Sequence, residues 1–395
     1  MRSRIMRLLL VSTTLILVAA TAVTAQPRTL KVGLLAPITG PNPDWGKKEA
    51  VGMKMAVDNV NKRGGVMGTP IEAVILDTGG DPQQALAMYQ RMTGQEGVLV
   101  TIGPLFSEEF EALSAVTNDA KVAIIATAAA KPGLSDLAKR PYAFRMTVTS
   151  DKKEAPVVKA WTATFGIKKV VIINDQESDT WVTVAGKVWP TIMKDLNVEI
   201  LNLNDPLIFR PGEQDFGALV KRIGNYQADG ICIAGLPEET GHLVKEIRRQ
   251  GLKQPIMVGS AAANPKVIEI AGEAAEGLWS ISLFYPEDPN PKVRDYVRDF
   301  KRACQEQYPG MNCDSEQYDV VVHDSLLFIA DIMKKKAITG NPEKLQGERD
   351  KIRDGLTNIG IWRGTAGMMS FDQKGDGIRT IHVVKVKDGR WQPAY

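Results

Sequence analysis

An α/β protein of two doubly wound, parallel-sheet lobes joined by a three-strand hinge is expected on three grounds. From Leu30 the sequence repeats a short apolar strand, a turn and an amphipathic helix. After residues 142–149 the same repeat starts again. A later strand, 277–285, then carries the chain back towards the first set. Strands that alternate with helices pair in parallel, with right-handed crossovers. A chain of 395 residues also exceeds what one core ordinarily supports. The expected division is 1–25 as a signal peptide, 28–148 with 283–375 as the first lobe, and 149–282 with 376–395 as the second.

The elements follow in order. Residues 30–35 form the first strand, and P-I-T-G-P turns the chain into a helix with Ala50, Met53, Val57 and Val60 on one face. That helix ends at Gly64-Gly65. Residues 71–77 are the second strand, after which Asp81-Pro82 supplies an N-cap and a proline for the first helical turn. Strands at 98–102 and 122–126 complete the first set. In the second set, strands fall at 169–174, 198–203, 230–234 and 256–258, with helices at 152–164, 218–226 and 239–250 among them. Long helices occupy 293–307 and 318–335. The tail reads as a hairpin, 367–372 and 379–387, around Q-K-G-D-G. Residues 372–377 have a faint calcium-loop pattern, but Lys374 stands where a ligand oxygen is required, so a glycine-rich turn is expected instead.

The N terminus carries Arg2, Arg4 and Arg7, then an apolar core at 8–20 and small residues at 23–25, the pattern of a cleaved export signal. No cysteine follows the cleavage position, so no lipid anchor is expected, and the destination is outside the cytoplasm. The whole chain has 49 Lys+Arg and 46 Asp+Glu; without the three signal arginines the balance is 46 to 46. A neutral mature chain leaves no electrostatic footprint for nucleic acid. Cys232 lies in an apolar strand and reads as packing. Cys304 and Cys313 flank a loop turning at Pro309-Gly310; in an oxidising compartment their pairing as a disulfide is expected.

A search for catalytic chemistry is largely negative. There is no nucleophile elbow, zinc-protease motif or phosphate loop. The glycines at 64–68 follow a helix and read as its cap, so no nucleotide cofactor is expected. His242, His323 and His382 are scattered and read as structural. An enzyme is therefore not expected, nor is any cofactor or metal. The most informative stretch is V-L-V-T-I-G-P-L-F-S-E-E-F-E-A at 98–112: a buried strand, a Gly-Pro break, and Ser107 opening a helix as its N-cap. Backbone N–H groups at such a helix start favour anions.

The opening K-V-G-L-L-A-P-I-T-G-P-N-P-D-W-G resembles the start of periplasmic binding proteins of the branched-chain amino acid (leucine/isoleucine/valine-binding) class. The blocks A-V-D-N-V-N-K-R-G-G-V-M-G, D-P-Q-Q-A, I-G-P-L-F-S, I-A-G-E-A-A-E-G-L and F-D-Q-K-G-D-G continue it over nearly all of the mature chain. The resemblance implies a type I two-lobed receptor that closes on a small molecule and delivers it to the membrane permease of an ABC importer, working as a monomer. It implies that Ser107, with Phe106 beside it, meets a ligand carboxylate, and that the backbone of Ala128, Ala129 and Ala130 holds the same moiety. It places Trp45 over an apolar ligand group. It further implies contacts from second-lobe loops at 175–181, 236–239 and 260–262, including Asp179, Trp181, Leu236 and Ser260, with Tyr318 as a third aromatic candidate.

Two departures bear on the ligand. Amino-acid-binding members place a threonine where this chain has Ala130 and a carboxylate where it has Ser260, and those groups hold the ligand's ammonium. A buried cation lacking acceptors costs several kcal/mol. The expected ligand is therefore an organic carboxylate without an α-amino group, such as an aromatic acid. Glu238 or Asp179 stands as a replacement carboxylate, which keeps a hydrophobic amino acid as the alternative. A sensor of the same fold is a further one. Glu108 and Glu109 are expected to point to solvent, away from a bound anion. Arg145 is either a compensating charge or a structural pair near the hinge.

Overall fold

The computed structural model describes residues 28–395; the expected export signal lies outside them. In β1 (Leu30–Ala36), Leu30, Val32 and Leu34 enter one apolar cluster and Leu35 another. This alternation follows from a strand covered on both faces. α1 (Pro43–Lys62) covers the first face. β2 (Ile71–Asp77) leads to α2 (Pro82–Arg91), whose start is fixed by the Asp81 carboxylate accepting the Gln84 amide. β3 (Val100–Ile102), α3 (Ser107–Ser114), α4 (Thr117–Ala120), β4 (Ile124–Ala126) and β5 (Ala143–Arg145) follow. The strands pair in parallel in the order β2-β1-β3-β4-β5.

The second lobe begins with α5 (Ser150–Phe165) and β6 (Lys169–Asp175). α6 (Asp179–Thr183), α7 (Trp189–Asp195), β7 (Glu199–Ile200), β8 (Leu207–Phe209) and α8 (Gly217–Gly224) come next. β9 (Gly230–Ala234), α9 (Pro237–Arg249), β10 (Ile256–Val258), α10 (Pro265–Ala271) and β11 (Trp279–Ser282) complete the repeat. Val170 and Ile172 of β6 pack with Trp161 and Trp189, whereas Val171 and Ile173 face the α8–α9 side. Cys232 is buried in β9 and unbonded.

α11 (Pro291–Gln307), α12 (Gln317–Lys335) and α13 (Leu345–Thr357) return to the first lobe. α12 lies close along α1; a Cβ on Gly52 would come within 2.4 Å of the Asp319 carbonyl oxygen, so only glycine permits that approach. Cys304 and Cys313 are bonded, with Cα atoms 5.6 Å apart, in a satellite cluster with Tyr296 and Phe300.

β12 (Trp362–Gly364), β13 (Gly367–Phe371) and β14 (Gly377–Arg379) form a small antiparallel sheet on the first lobe, where Phe371 packs on Phe144 and Phe328. β15 (His382–Lys387) then adds antiparallel to β11, and β16 (Arg390–Pro393) antiparallel to β15. Two expectations change here. The strand expected over 379–387 is two strands, one for each lobe, divided at 380–381. The second sheet is mixed rather than wholly parallel, because the chain re-enters it from the opposite direction.

The 372–377 turn braces the crossings between the lobes. Arg145 is fully buried, with Nε 2.5 Å from Asp376 and Nη1 donating to the Ala129 and Lys131 carbonyls. Its amide donates to the Gly375 carbonyl at 3.0 Å, and the Gly377 amide to that of Thr147. The Asp372 carboxylate accepts the Lys374 and Asp376 amides and pairs with Lys152 at 2.9 Å. Arg145 is thus a structural pair and not a cleft charge.

Candidate functional site

A cleft of about 540 Å³ lies between the lobes. Its first-lobe wall includes Trp45, Phe106, Ser107, Ala128 and Ala130, with Tyr318 at the start of α12. Trp181, Leu236 and Ser260 form the second-lobe wall. Trp45 is the centre of the aromatic wall, 5.2 Å from Tyr318 and 6.1 Å from Phe106 between ring centroids. Two glycines seat the rings. A Cβ on Gly80 would meet the Phe106 ring at 3.2 Å, and one on Gly259 would meet Trp181 at 2.7 Å.

Hydrogen bonds close the rims on both sides. Lys131 reaches Asp179 at 3.3 Å as well as Glu111 at 3.0 Å, and the Ser178 hydroxyl donates to Glu108 at 3.4 Å. Opposite, Glu316 accepts from both Lys48 and Asn264, and the Gln317 amide group donates to the Ser260 carbonyl at 3.2 Å. The apolar cluster containing Trp45 and Tyr318 continues into Trp181 and Val184. The lobes therefore touch across both rims of the cleft.

Ser107 does not cap α3. The N-cap is Phe106, whose amide donates to the Glu109 carboxylate at 3.0 Å, and Ser107 is the first helical residue. Its Oγ accepts the Ala130 and Lys131 amides at 3.1 and 3.2 Å. With both lone pairs so used, the hydroxyl proton remains to donate into the cleft. Glu109 is fully buried rather than solvated, and burial holds its carboxyl up to about 7. Glu108 turns to the cleft rim rather than to open solvent.

Two other expected contacts also differ. The Ala129 carbonyl is held by Arg145, and the Ala130 carbonyl takes both the amide and hydroxyl of Ser150, so these backbone groups serve the fold. Ala129 does not line the cleft, and neither does Asp179, whose carboxylate is exposed and engaged with Lys131. Ala128 keeps its place on the wall. Of the two proposed replacement carboxylates only Glu238 lines the cleft, a lining that also includes Asp175, Glu177 and Glu239. Asp175 and Glu239 accept the Glu177 and Gly212 amides.

The unanticipated residue is Lys153. It is only 7% exposed, lines the cleft in the first turn of α5, and has no carboxylate within ion-pair distance among the described residues. Burial lowers its ammonium to about 8. Its neighbours are committed elsewhere: Glu154 accepts the Ser260 amide and the Trp189 indole, and Arg145 holds Asp376. The available signal was a lysine in a first helical turn, where the helix dipole favours acids.

A periplasmic binding protein family model matches residues 29–390. The chain belongs to this family. Its members are ligand-binding proteins and not enzymes. This periplasmic binding protein is 25% identical, over 88% of its chain and 87% of the relative's, to a leucine-, isoleucine-, valine-, threonine-, and alanine-binding protein of Pseudomonas aeruginosa. Its fold matches a leucine binding protein of Thermotoga maritima with TM-score 0.79 at 23% identity, covering 93% and 98% of the two chains. It also matches an R. palustris ABC transporter solute binding protein, solved in complex with 4-hydroxybenzoate, with TM-score 0.77 at 20% identity and 92% and 95% coverage. No described helix is long and apolar enough to cross a membrane.

Proposed function

We propose that this protein is the periplasmic solute-binding component of an ABC importer, and that its lobes, 28–148 with 283–375 and 149–282 with 376–395, close around a small organic carboxylate lacking an α-amino group, with aromatic acids preferred. One observation supports the ligand reading: Ala130 and Ser260 line the cleft with neither a hydroxyl at the first position nor a carboxylate at the second to hold an ammonium, beneath walls built from Trp45, Phe106, Trp181 and Tyr318. Apolar walls supply most of the contact area in such sites, and a few placed donors orient the ligand. Ser107 supplies such a donor for a carboxylate at the N terminus of α3. The neighbour solved with 4-hydroxybenzoate is consistent with this chemistry. Uptake then requires docking of the closed monomer on a membrane permease.

The second reading, a hydrophobic amino acid, is favoured by the amino acids in the relatives' names and by the Glu238 carboxylate on the cleft wall. A thermal-shift panel of amino acids, aromatic acids, fatty acids, dicarboxylates and amides separates the two, with intrinsic tryptophan fluorescence as a second readout of Trp45 and Trp181. Stabilisation by aromatic acids is the expected result. Stabilisation by leucine or valine, with no response to non-amino acids, overturns the proposal.

A further inference from the structure

We propose that Lys153 selects ligands that carry an acceptor oxygen on the carbon next to the carboxylate, as 2-oxo and 2-hydroxy acids do, and rejects those with an ammonium there. The inference rests on the carboxylate reading above and names the ligand class within it.

The argument begins with an uncompensated charge. A buried ammonium without hydrogen-bond acceptors costs several kcal/mol, so a fold retains one where something else completes it. Here no carboxylate among the described residues forms an ion pair with it. Glu154 is the adjacent residue, yet its oxygens face the Ser260 amide and the Trp189 indole. Lys152, one position earlier, has its own partner in Asp372. Glu154 and Arg145 act on the Lys153 ammonium through space with opposite signs, neither pairs with it, and an acceptor reaching it from the cleft belongs to the ligand.

The position of that acceptor follows from a chain of hydrogen bonds. Ser107 Oγ accepts the Ala130 amide, and the Ala130 carbonyl accepts the Ser150 amide and hydroxyl at 2.8 and 3.1 Å. The two serines thus bracket a single residue, a span of at most about 3.6 Å of backbone. Lys153 lies three positions after Ser150, on the same face of α5. The hydroxyl that donates to a carboxylate and the ammonium therefore line the same end of the cleft, within reach of one small ligand. A carboxylate oxygen at Ser107 leaves the substituent of the next carbon towards Lys153. An oxo or hydroxyl oxygen there accepts a charge-assisted hydrogen bond; a ligand ammonium meets like charge; a methylene leaves the lysine unsatisfied.

The test holds the ligand skeleton fixed and changes only that carbon. Isothermal titration of the full mature chain with phenylpyruvate, 3-phenylpropanoate and phenylalanine is repeated on Lys153→Met and Lys153→Gln. The branched set 4-methyl-2-oxopentanoate, 4-methylpentanoate and leucine is run in parallel. The wild type is expected to bind the 2-oxo acid of at least one set ten-fold or more tighter than the matching unsubstituted acid, with the amino acid weakest. Both variants are expected to bring the 2-oxo and unsubstituted acids within about two-fold of each other, a ratio internal to each variant and so insensitive to its stability. Equal binding of the 2-oxo and unsubstituted acids by the wild type overturns the role of Lys153 and leaves the carboxylate reading intact. An unchanged ratio in both variants, or no binding of either 2-oxo acid at millimolar concentration, also overturns it. Binding of only the amino acids overturns both proposals.

Discussion

Gly259→Ala probes how the second-lobe wall is built. A Cβ at this position would stand 2.7, 3.2 and 3.4 Å from three atoms of the Trp181 ring. Ordinary contact begins at 3.4 Å, so the ring has to retreat by 3.4 − 2.7 = 0.7 Å. The backbone itself offers no resistance, since φ −60° and ψ 158° suit any residue. Overpacking of this kind costs about 1–3 kcal/mol, and removing a glycine's freedom from the unfolded chain returns about 0.4–1 kcal/mol. The expected net loss is roughly 1 kcal/mol, read as a shift of the urea midpoint. Trp181 is buried on its core side, so its free direction is into the cleft, and ligand affinity should fall by ten-fold or more. A cycle with Trp181→Leu separates the two effects. In that background the alanine step should become neutral or stabilising. An equal cost in both backgrounds, or wild-type affinity in Gly259→Ala, refutes the seating of Trp181 on Gly259.

Ser107→Ala should weaken carboxylate binding by about 1–2 kcal/mol in isothermal titration, the order of one hydrogen bond; unchanged affinity assigns Ser107 to loop packing alone. Affinity for an anionic ligand should depend on pH. Lys153 titrates near 8 and binds the anion in its protonated form, and Glu109, near 7, opposes the anion only when ionised. Affinity is then highest in acid, starts to fall as pH rises through about 7, and falls more steeply above 8; titrations from pH 6 to 9 that show constant or rising affinity refute this. Reduction of Cys304–Cys313 should lower the unfolding free energy by about 2–3 kcal/mol, as expected for a closed loop of this length. An unmoved denaturant midpoint under reductant contradicts that.

The elements most legible in the sequence are those whose local chemistry and tertiary role agree. Residues 71–77, 230–234 and 256–258 are strands with the bounds expected; the last two are apolar runs buried in a parallel sheet, and the first is a half-buried edge strand that pairs with β1 along its length. Asp81-Pro82 starts its helix as its residue types dictate. Tertiary context overrode the pattern elsewhere. α13 is highly charged and buries little beyond Ile352 and Leu356 on its apolar side, too sparse a stripe to mark a helix. β8 has three residues and is fixed by pairing with β6. Ser107 has a cap's identity, but the Glu109 carboxylate takes the Phe106 amide and the serine is drawn to the loop after β4. Lys153 could not be placed at a cleft without the crossing that brings α5 beside Ala130, although its conflict with the helix dipole was visible.

The bonds at the crossings also set an order of events. Ser107, Ala130 and Ser150 form one hydrogen-bonded chain, and Arg145, Asp376, Thr147 and Gly377 brace the segment beside it. The polar end of the cleft is consequently assembled on the pivot, where opening displaces it least. Trp181, Leu236 and Ser260 stand on the lobe that swings. If the ligand is the carboxylate proposed above, it meets its anchor at the pivot first and its enclosing wall second, so recognition of the acid group precedes closure. Side-chain shape is judged only afterwards, by whether the second wall can come to rest.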